Sequence, residues 1–162
     1  LSILWQTEAL NALAWAADLV PALGSPWLQA EIDATTRTVP VPWDELDRFI
    51  DTIRLRSEDD IAAARETAEL WAWRSALEPD LQSARGRERS ELRSIVREAA
   101  AEAAIAGLLN SANDDFRVRR QSFAQADPET QAVIAEVSMQ RLRALNWLCG
   151  FGANWDDVPL DV

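Results

Sequence analysis

Residues 127–150 read DPETQAVIAEVSMQRLRALNWLCG, and the spacing predicts a helix with both ends written into the residues. Asp127 offers a side-chain acceptor at the N-cap, Pro128 takes the first helical position, where a missing N–H costs nothing, and Glu129 sets an acid against the positive end of the dipole. Gly150 gives the stop, because it can turn left-handed after the last turn. At about 100° per residue, Ile134, Val137, Leu145 and Leu148 fall on one stripe, widened by Val133 and Ala144. Arg141 falls on that stripe too, whereas Arg143 points roughly the opposite way and reads as solvated. A guanidinium facing a core needs a carboxylate or several carbonyls, so this helix must pack against an element that supplies one.

The N-terminal stretch offers the carboxylate. Ser2 to Val20 is apolar almost all round, with Ile3, Leu10, Leu13, Ala17 and Val20 on one arc and Leu4, Trp15 and Leu19 on another, the pattern of a central, buried helix. Glu8 sits among Leu4, Trp5 and Ala12 at helical spacings and is the first-choice partner for Arg141, ahead of Asp156. The chain starts at Leu1 rather than methionine, so the expectation is that its true N-terminus lies further upstream.

Between these two helices the punctuation predicts more of the same. Pro21 to Pro26 is a turn, Trp27 to Asp33 a short helix, and Thr35 to Pro42, with its β-branched threonines and two prolines, an extended segment. Pro42 at a first helical position opens a helix over Trp43 to Ile53 with Trp43, Leu46, Phe49, Ile50 and Ile53 on one face. Ser57 and Asp60 resemble a capping box ahead of a helix to about Leu77, whose inward face is Ile61, Ala64, Ala68, Trp71 and Ala72. Pro79 to Ser90 reads as an exposed connection. The next helix, about Glu88 to Asn110, carries a small-residue face of Leu92, Ile95, Val96, Ala99, Ala103 and Ala106 suited to close helix packing. Phe116 to Phe123 alternates in part, as a short strand or an irregular crossing, and the tail after Phe151 has Trp155, Val158 and Leu160 as anchors. The expected fold is all-α: a single-domain bundle of about five or six helices over residues 1–162, with at most a minor two-stranded extended element near Thr35–Val41 and Phe116–Phe123. Trp5, Trp15, Trp71 and Trp147 are expected in its core.

Composition bounds the function. The 162 residues carry a net charge of −11, which argues against an exposed nucleic-acid surface. The acidity is uneven, with 15 acids against 6 arginines in residues 1–80 and 12 against 10 in residues 81–162. Every basic residue is arginine, and histidine is absent, which removes the commonest general base and metal ligand. The single cysteine, Cys149, allows no internal disulfide, precedes a helix end whose dipole raises a thiol pKa, and reads as packing. No apolar run approaches the roughly 20 residues that span a bilayer, so the partners considered exclude membranes and the cytoplasm is the default location.

Two segments resemble a bacterial domain-of-unknown-function family, DUF4272. One is Leu4-Trp5-Gln6-Thr7-Glu8-Ala9-Leu10 running on to Leu13 and Trp15; the other is Arg143-Ala144-Leu145-Asn146-Trp147-Leu148, Gly150, then Trp155-Asp156-Asp157-Val158-Pro159. The family pattern has arginine where this chain has Gln6 and histidine where it has Leu142. The resemblance covers the first 20 residues, more loosely Ile53 to Trp73, and Val133 to Asp157, and leaves Glu78 to Asp127 outside. It implies an α-helical domain and brings no known activity with it.

Two constellations carry chemistry. Glu8, Arg141, Asn146 and Asp156 form either a polar pocket for an anion or carboxylated ligand, or a structural ion-pair network tying the first helix to the last and to the tail. The run Asp44, Glu45, Asp47, Asp51, Glu58, Asp59 and Asp60, interrupted by Arg48, Arg54 and Arg56, is either a solvated helix face or a surface that steers a basic partner. The acid pairs Asp59-Asp60, Asp114-Asp115 and Asp156-Asp157 lack calcium-loop spacing and read as caps and solvated groups. No Gly-rich phosphate loop or nucleophile triad is present, so no catalytic residue, metal or cofactor is assigned. Two functions follow: a non-catalytic acidic interaction module, such as an immunity-type protein neutralising a basic partner, or an enzyme or ligand sensor using an interhelical Glu/Arg/Asp pocket. An open pocket around Arg141 would favour the second; a sealed ion pair with exposed acids elsewhere favours the first.

Overall fold

The computed structural model describes residues 3–41 and 43–162; the Ser2 end of the first helix and Pro42 lie outside the described residues, and the helix expected over Trp43 to Ile53 begins only at Leu46. The domain is α-helical with a minor extended element. Among the described residues four long helices, α1 (Ile3–Ala16), α4 (Glu58–Ala76), α6 (Gly86–Ile105) and α7 (Pro128–Leu148), are accompanied by three short ones, α2 (Ile32–Thr36), α3 (Leu46–Thr52) and α5 (Glu78–Ser83). No helix among the described residues is long and apolar enough to cross a membrane.

The helix quoted first is the hub. The Asp127 carboxylate accepts from the Thr130 backbone N–H (2.8 Å) and hydroxyl (2.8 Å), which caps α7. At the other end Gly150 turns left-handed (φ 80°), and the Phe151 N–H returns to the Asn146 carbonyl at 3.0 Å, the closing bond of a Schellman motif. α7 packs along both α4 and α1. Its buried residues, from Gln140 through Ile134 to Asn146, sweep an arc of roughly 240° at about 100° per residue. That is far wider than the single stripe read from the sequence, because a neighbour lies on each flank.

Alanine makes the close approach possible. Ala9, Ala12 and Ala16 of α1, Ile61, Ala68 and Ala72 of α4, and Leu142, Ala144 and Leu145 of α7 form one core, with Trp15, Trp155 and Leu160 packed against it. α1 ends at Ala16, short of the expected Val20, where Asp18 turns left-handed (φ 55°) and Leu19 N–H bonds Ala14 O at 2.9 Å. The tail returns over this core, with Val158 buried. Gly152 permits that return, since a Cβ there would stand 3.0 Å from Val158 Cα.

A second core joins Trp71 of α4, Ala100 of α6 and Ile134 of α7 to Phe116 and Val118 of a small antiparallel sheet and to Phe123 of the 3-10 turn that follows it. The sheet has order β1 (Ser111–Ala112), β2 (Asp115–Val118), β3 (Gln121–Ser122), with Ala112 opposite Asp115 and Val118 opposite Gln121. Asn113 and Asp114 both have positive φ (52° and 61°), as a two-residue hairpin turn requires. The extended element is therefore three-stranded rather than two-stranded and begins at Ser111, ahead of the expected Phe116.

Other expectations need correcting. Thr35 to Val41 forms no strand: Thr35 and Thr36 close α2, whose Thr36 hydroxyl bonds Ile32 O at 2.8 Å. Glu78 to Ser83 is helical rather than a bare connection, with Pro79 in its first turn. α6 buries Val96, Ala100 and Ala103, packs on the sheet and α5 as well as meeting Trp71 and Ile134 through Ala100, and leaves Ile95 exposed. Trp71 is buried, Trp5 and Trp15 are half-buried, and Trp147 is 43% exposed, edge-on to Trp155 with centroids 6.1 Å apart. Cys149 is exposed, not packed.

Candidate functional site

Glu8 is fully buried and reaches across to α7, where its Oε2 accepts from Arg141 Nη2 (3.0 Å) and Nε (3.1 Å). Its other oxygen accepts the Ala30 N–H, and Arg141 Nη1 donates to Gly24 O at 3.1 Å. The pair therefore clasps α1 to α7 and pins the connection from Gly24 to Ala30 over both. Burial pulls the Arg141 pKa below its ordinary value, and the charge and hydrogen bond of Glu8 offset that only in part.

The other two members of the expected cluster do not join. Asn146 is buried, but its Oδ1 accepts from Arg65 Nε (2.6 Å) and its Nδ2 donates to Pro159 O (2.9 Å), so it ties α7 to α4 and to the tail. Asp156 is exposed in the turn Trp155–Asp157 and meets neither Glu8 nor Arg141. Sequence adjacency to the family-like segment suggested it, but the 3-10 turn points it to solvent. Arg143 is half-buried rather than solvated, and its Nε has no acceptor among the described residues.

A second buried arginine escaped the sequence reading. Arg74, 1% exposed, forks onto Asp115 through Nε (2.8 Å) and Nη2 (2.9 Å), gives Nη1 to Glu78 (2.9 Å), and lies 4.5 Å from the Phe123 ring centroid. Asp115 also accepts the N–H groups of Phe116 (2.7 Å) and Ala124 (3.0 Å). Burial pulls the Arg74 pKa down, but the bonds and charges of Asp115 and Glu78 outweigh it and hold the group above its ordinary value. This hub fixes the sheet on α4. Asp115, read as a cap or a solvated acid, is a buried ion-pair partner. The available signal was an arginine between Trp73 and the end of an apolar stripe, with acids directly ahead of Phe116.

The acidic run divides in two. Asp44, Glu45, Asp47 and Asp51 lie on or beside α3, while Glu58, Asp59 and Asp60 fill the first turn of α4, capped by the Ser57 hydroxyl, which accepts Asp60 N–H at 3.1 Å. All seven are exposed, and none makes an ion pair among the described residues. Two of the interrupting arginines are used elsewhere. Arg54 bonds the Asp51 and Ile53 carbonyls, and Arg56 pairs with Asp18 (2.7 Å), donates to Trp15 O (2.7 Å) and lies over the Trp15 ring.

Beside these acids the apolar face expected over Trp43 to Ile53 is mostly uncovered, with only Phe49 and Ile53 half-buried. Trp43 is 84%, Leu46 56% and Ile50 61% exposed, and α3 buries no residue at all. Periodicity gave the apolar face correctly, but it cannot say whether another element covers that face. A cavity of about 700 Å³ opens near Arg141, walled by Trp15, Trp27, Trp71 and Leu109, with Arg117 and Arg119 also among its lining. Among the described residues no group of three or more His, Cys, Asp or Glu side chains is set to hold a metal ion.

No family model, curated protein or solved structure matches this chain.

Proposed function

We propose that the protein is a cytoplasmic, non-catalytic interaction module that holds a basic protein partner against the surface from Asp44 to Asp60. One observation carries the reading: Leu46 and Ile50 stand exposed one turn apart on α3 and Trp43 stands exposed in the turn just ahead of it, with Asp47 and Asp51 next to them on the helix and Asp44 beside Trp43. Aromatic and aliphatic anchors beside unpaired charges of one sign match the make-up of a partner-facing patch, with the anchors supplying burial and the acids selecting a basic surface. An immunity-type protein neutralising a basic toxin is one form of this reading. The test is affinity capture from the source cell with wild type and with two variants, Asp47→Arg/Asp51→Arg/Asp60→Arg and Trp43→Ala. A basic protein retained by wild type and lost from both folded variants supports the reading; equal capture by all three overturns it.

The cavity beside Arg141 favours a second reading, a small-ligand sensor. It ranks behind the first because the Arg141 guanidinium is already engaged by Glu8 and Gly24 O.

A further inference from the structure

On the side of the molecule built from α5, α6 and the sheet lies a polar cleft of about 650 Å³ whose charge runs against the rest of the chain. Arg89, Arg93 and Arg97 line it, spaced one turn apart along α6. Residues at i, i+4 and i+8 follow one face of a helix with roughly 6 Å of rise between neighbours, so three guanidiniums border the cleft in a row. Like charges at this spacing repel and weaken the helix that bears them.

Their own neighbours leave them unneutralised. Arg89 Nε is buried with no acceptor, and neither Arg89 nor Arg93 forms an ion pair among the described residues. Arg97 Nη2 donates to the Ser94 hydroxyl at 2.8 Å, and the nearby Glu91 is held by Arg87 at 2.7 Å. The buried Asp115 and the half-buried Glu78 are both bound to Arg74, which leaves Asp114 as the one acid lining the cleft without an arginine among the described residues. Ser90, Ser94 and Asn113 add further hydrogen-bonding groups.

We infer that this cleft binds a phosphorylated small molecule. Guanidinium forks match phosphate oxygens in pairs, and a row of three suits an anion with more than one charge. The volume falls in the range of small-ligand sites, roughly 300 to 1,000 Å³. A long polyanion is disfavoured by the net charge of −11, whereas a small anion needs only the local cluster within a Debye length of about 8 Å.

The experiment is calorimetric titration of the full chain at low salt with inorganic pyrophosphate, adenosine diphosphate and citrate, repeated on Arg89→Gln/Arg93→Gln and on Arg93→Gln alone. Arg93 is exposed, so its single variant keeps the test alive if the double variant unfolds. The expected result is binding of a phosphate probe that weakens at least about tenfold in the variants, with citrate much the weaker ligand. Tighter binding of the nucleotide than of pyrophosphate would assign the rest of the cleft to an organic body, and the reverse would assign it to phosphate alone. No binding of either phosphate probe at about 5 mM, unchanged affinity in Arg93→Gln, or citrate binding as tightly as pyrophosphate would overturn the inference.

Discussion

Arg141 and Arg74 are both buried guanidiniums, and they differ in how many carboxylates each meets. Arg141 faces Glu8 alone and burial wins; Arg74 faces Asp115 and Glu78 and the charges win. Truncating either strands an acid in the core, so Arg141→Ala should cost about 3 to 5 kcal/mol and Arg74→Ala at least as much, while Arg143→Ala, which strands no acid, should cost under about 1 kcal/mol. Denaturant midpoints order the three variants, and equal midpoints for Arg141→Ala and Arg143→Ala would remove the clasp from the account. Asp127 makes a pH prediction. The Thr130 backbone N–H, then its hydroxyl, hold the Asp127 pKa below the ordinary 3.8. A carboxyl lowered in the folded state stabilises above its unfolded pKa and loses that contribution as pH falls through the folded one. The stability deficit of Asp127→Ala should therefore be full at pH 6 and shrink below about pH 4; a deficit independent of pH would contradict the cap.

Among the elements, α7 and α3 are opposite cases. α7 is covered on both flanks, so Ile134→Ala should cost about 2 to 5 kcal/mol, whereas Trp43→Ala and Ile50→Ala on the exposed stripe should each stay within about 0.5 kcal/mol. Acrylamide should quench Trp43 and spare Trp71, which an emission-resolved titration of single Trp→Phe variants would read. The same pair shows how much of the fold was legible. Caps, stripe and stop placed α7 and its Arg141 without help, because each is a local property of a few residues. Covering is not local: the stripe over Trp43 to Ile53 was equally clear, yet Trp43, Leu46 and Ile50 stand exposed, and Trp147, assigned to the core by residue type, sits at roughly 220° from Ile134, just beyond the buried arc. Partial alternation marked β2 near Phe116, but β1, two residues long and joined to it by a turn of Asn113 and Asp114, was too short to leave a pattern of its own. The site was legible as a pair, Glu8 with Arg141, because both lie on apolar helix faces. Asp115 was missed because it opens a four-residue strand, with no helical periodicity to place it on an apolar face.

For the whole molecule, charge placement sets the expected behaviour. Residues 1–80 hold most of the excess acid, and α3 with the start of α4 presents seven of these acids unpaired on one chain segment. The arginines of α6 lie around a separate cleft, which gives the molecule an acidic surface and a local cationic one. Attraction of a basic partner to such a surface acts mainly on encounter and is screened over about 8 Å at physiological salt. The central claim is that Asp44 to Asp60 is that surface, and its most direct measurement is the association rate of the captured partner, followed by surface plasmon resonance from about 50 to 500 mM salt. The account predicts that association slows by an order of magnitude or more while dissociation changes little, and that Asp47→Arg/Asp51→Arg/Asp60→Arg abolishes this dependence with its fold intact. An association rate that ignores salt, or one that the reversed variant reproduces, would contradict it.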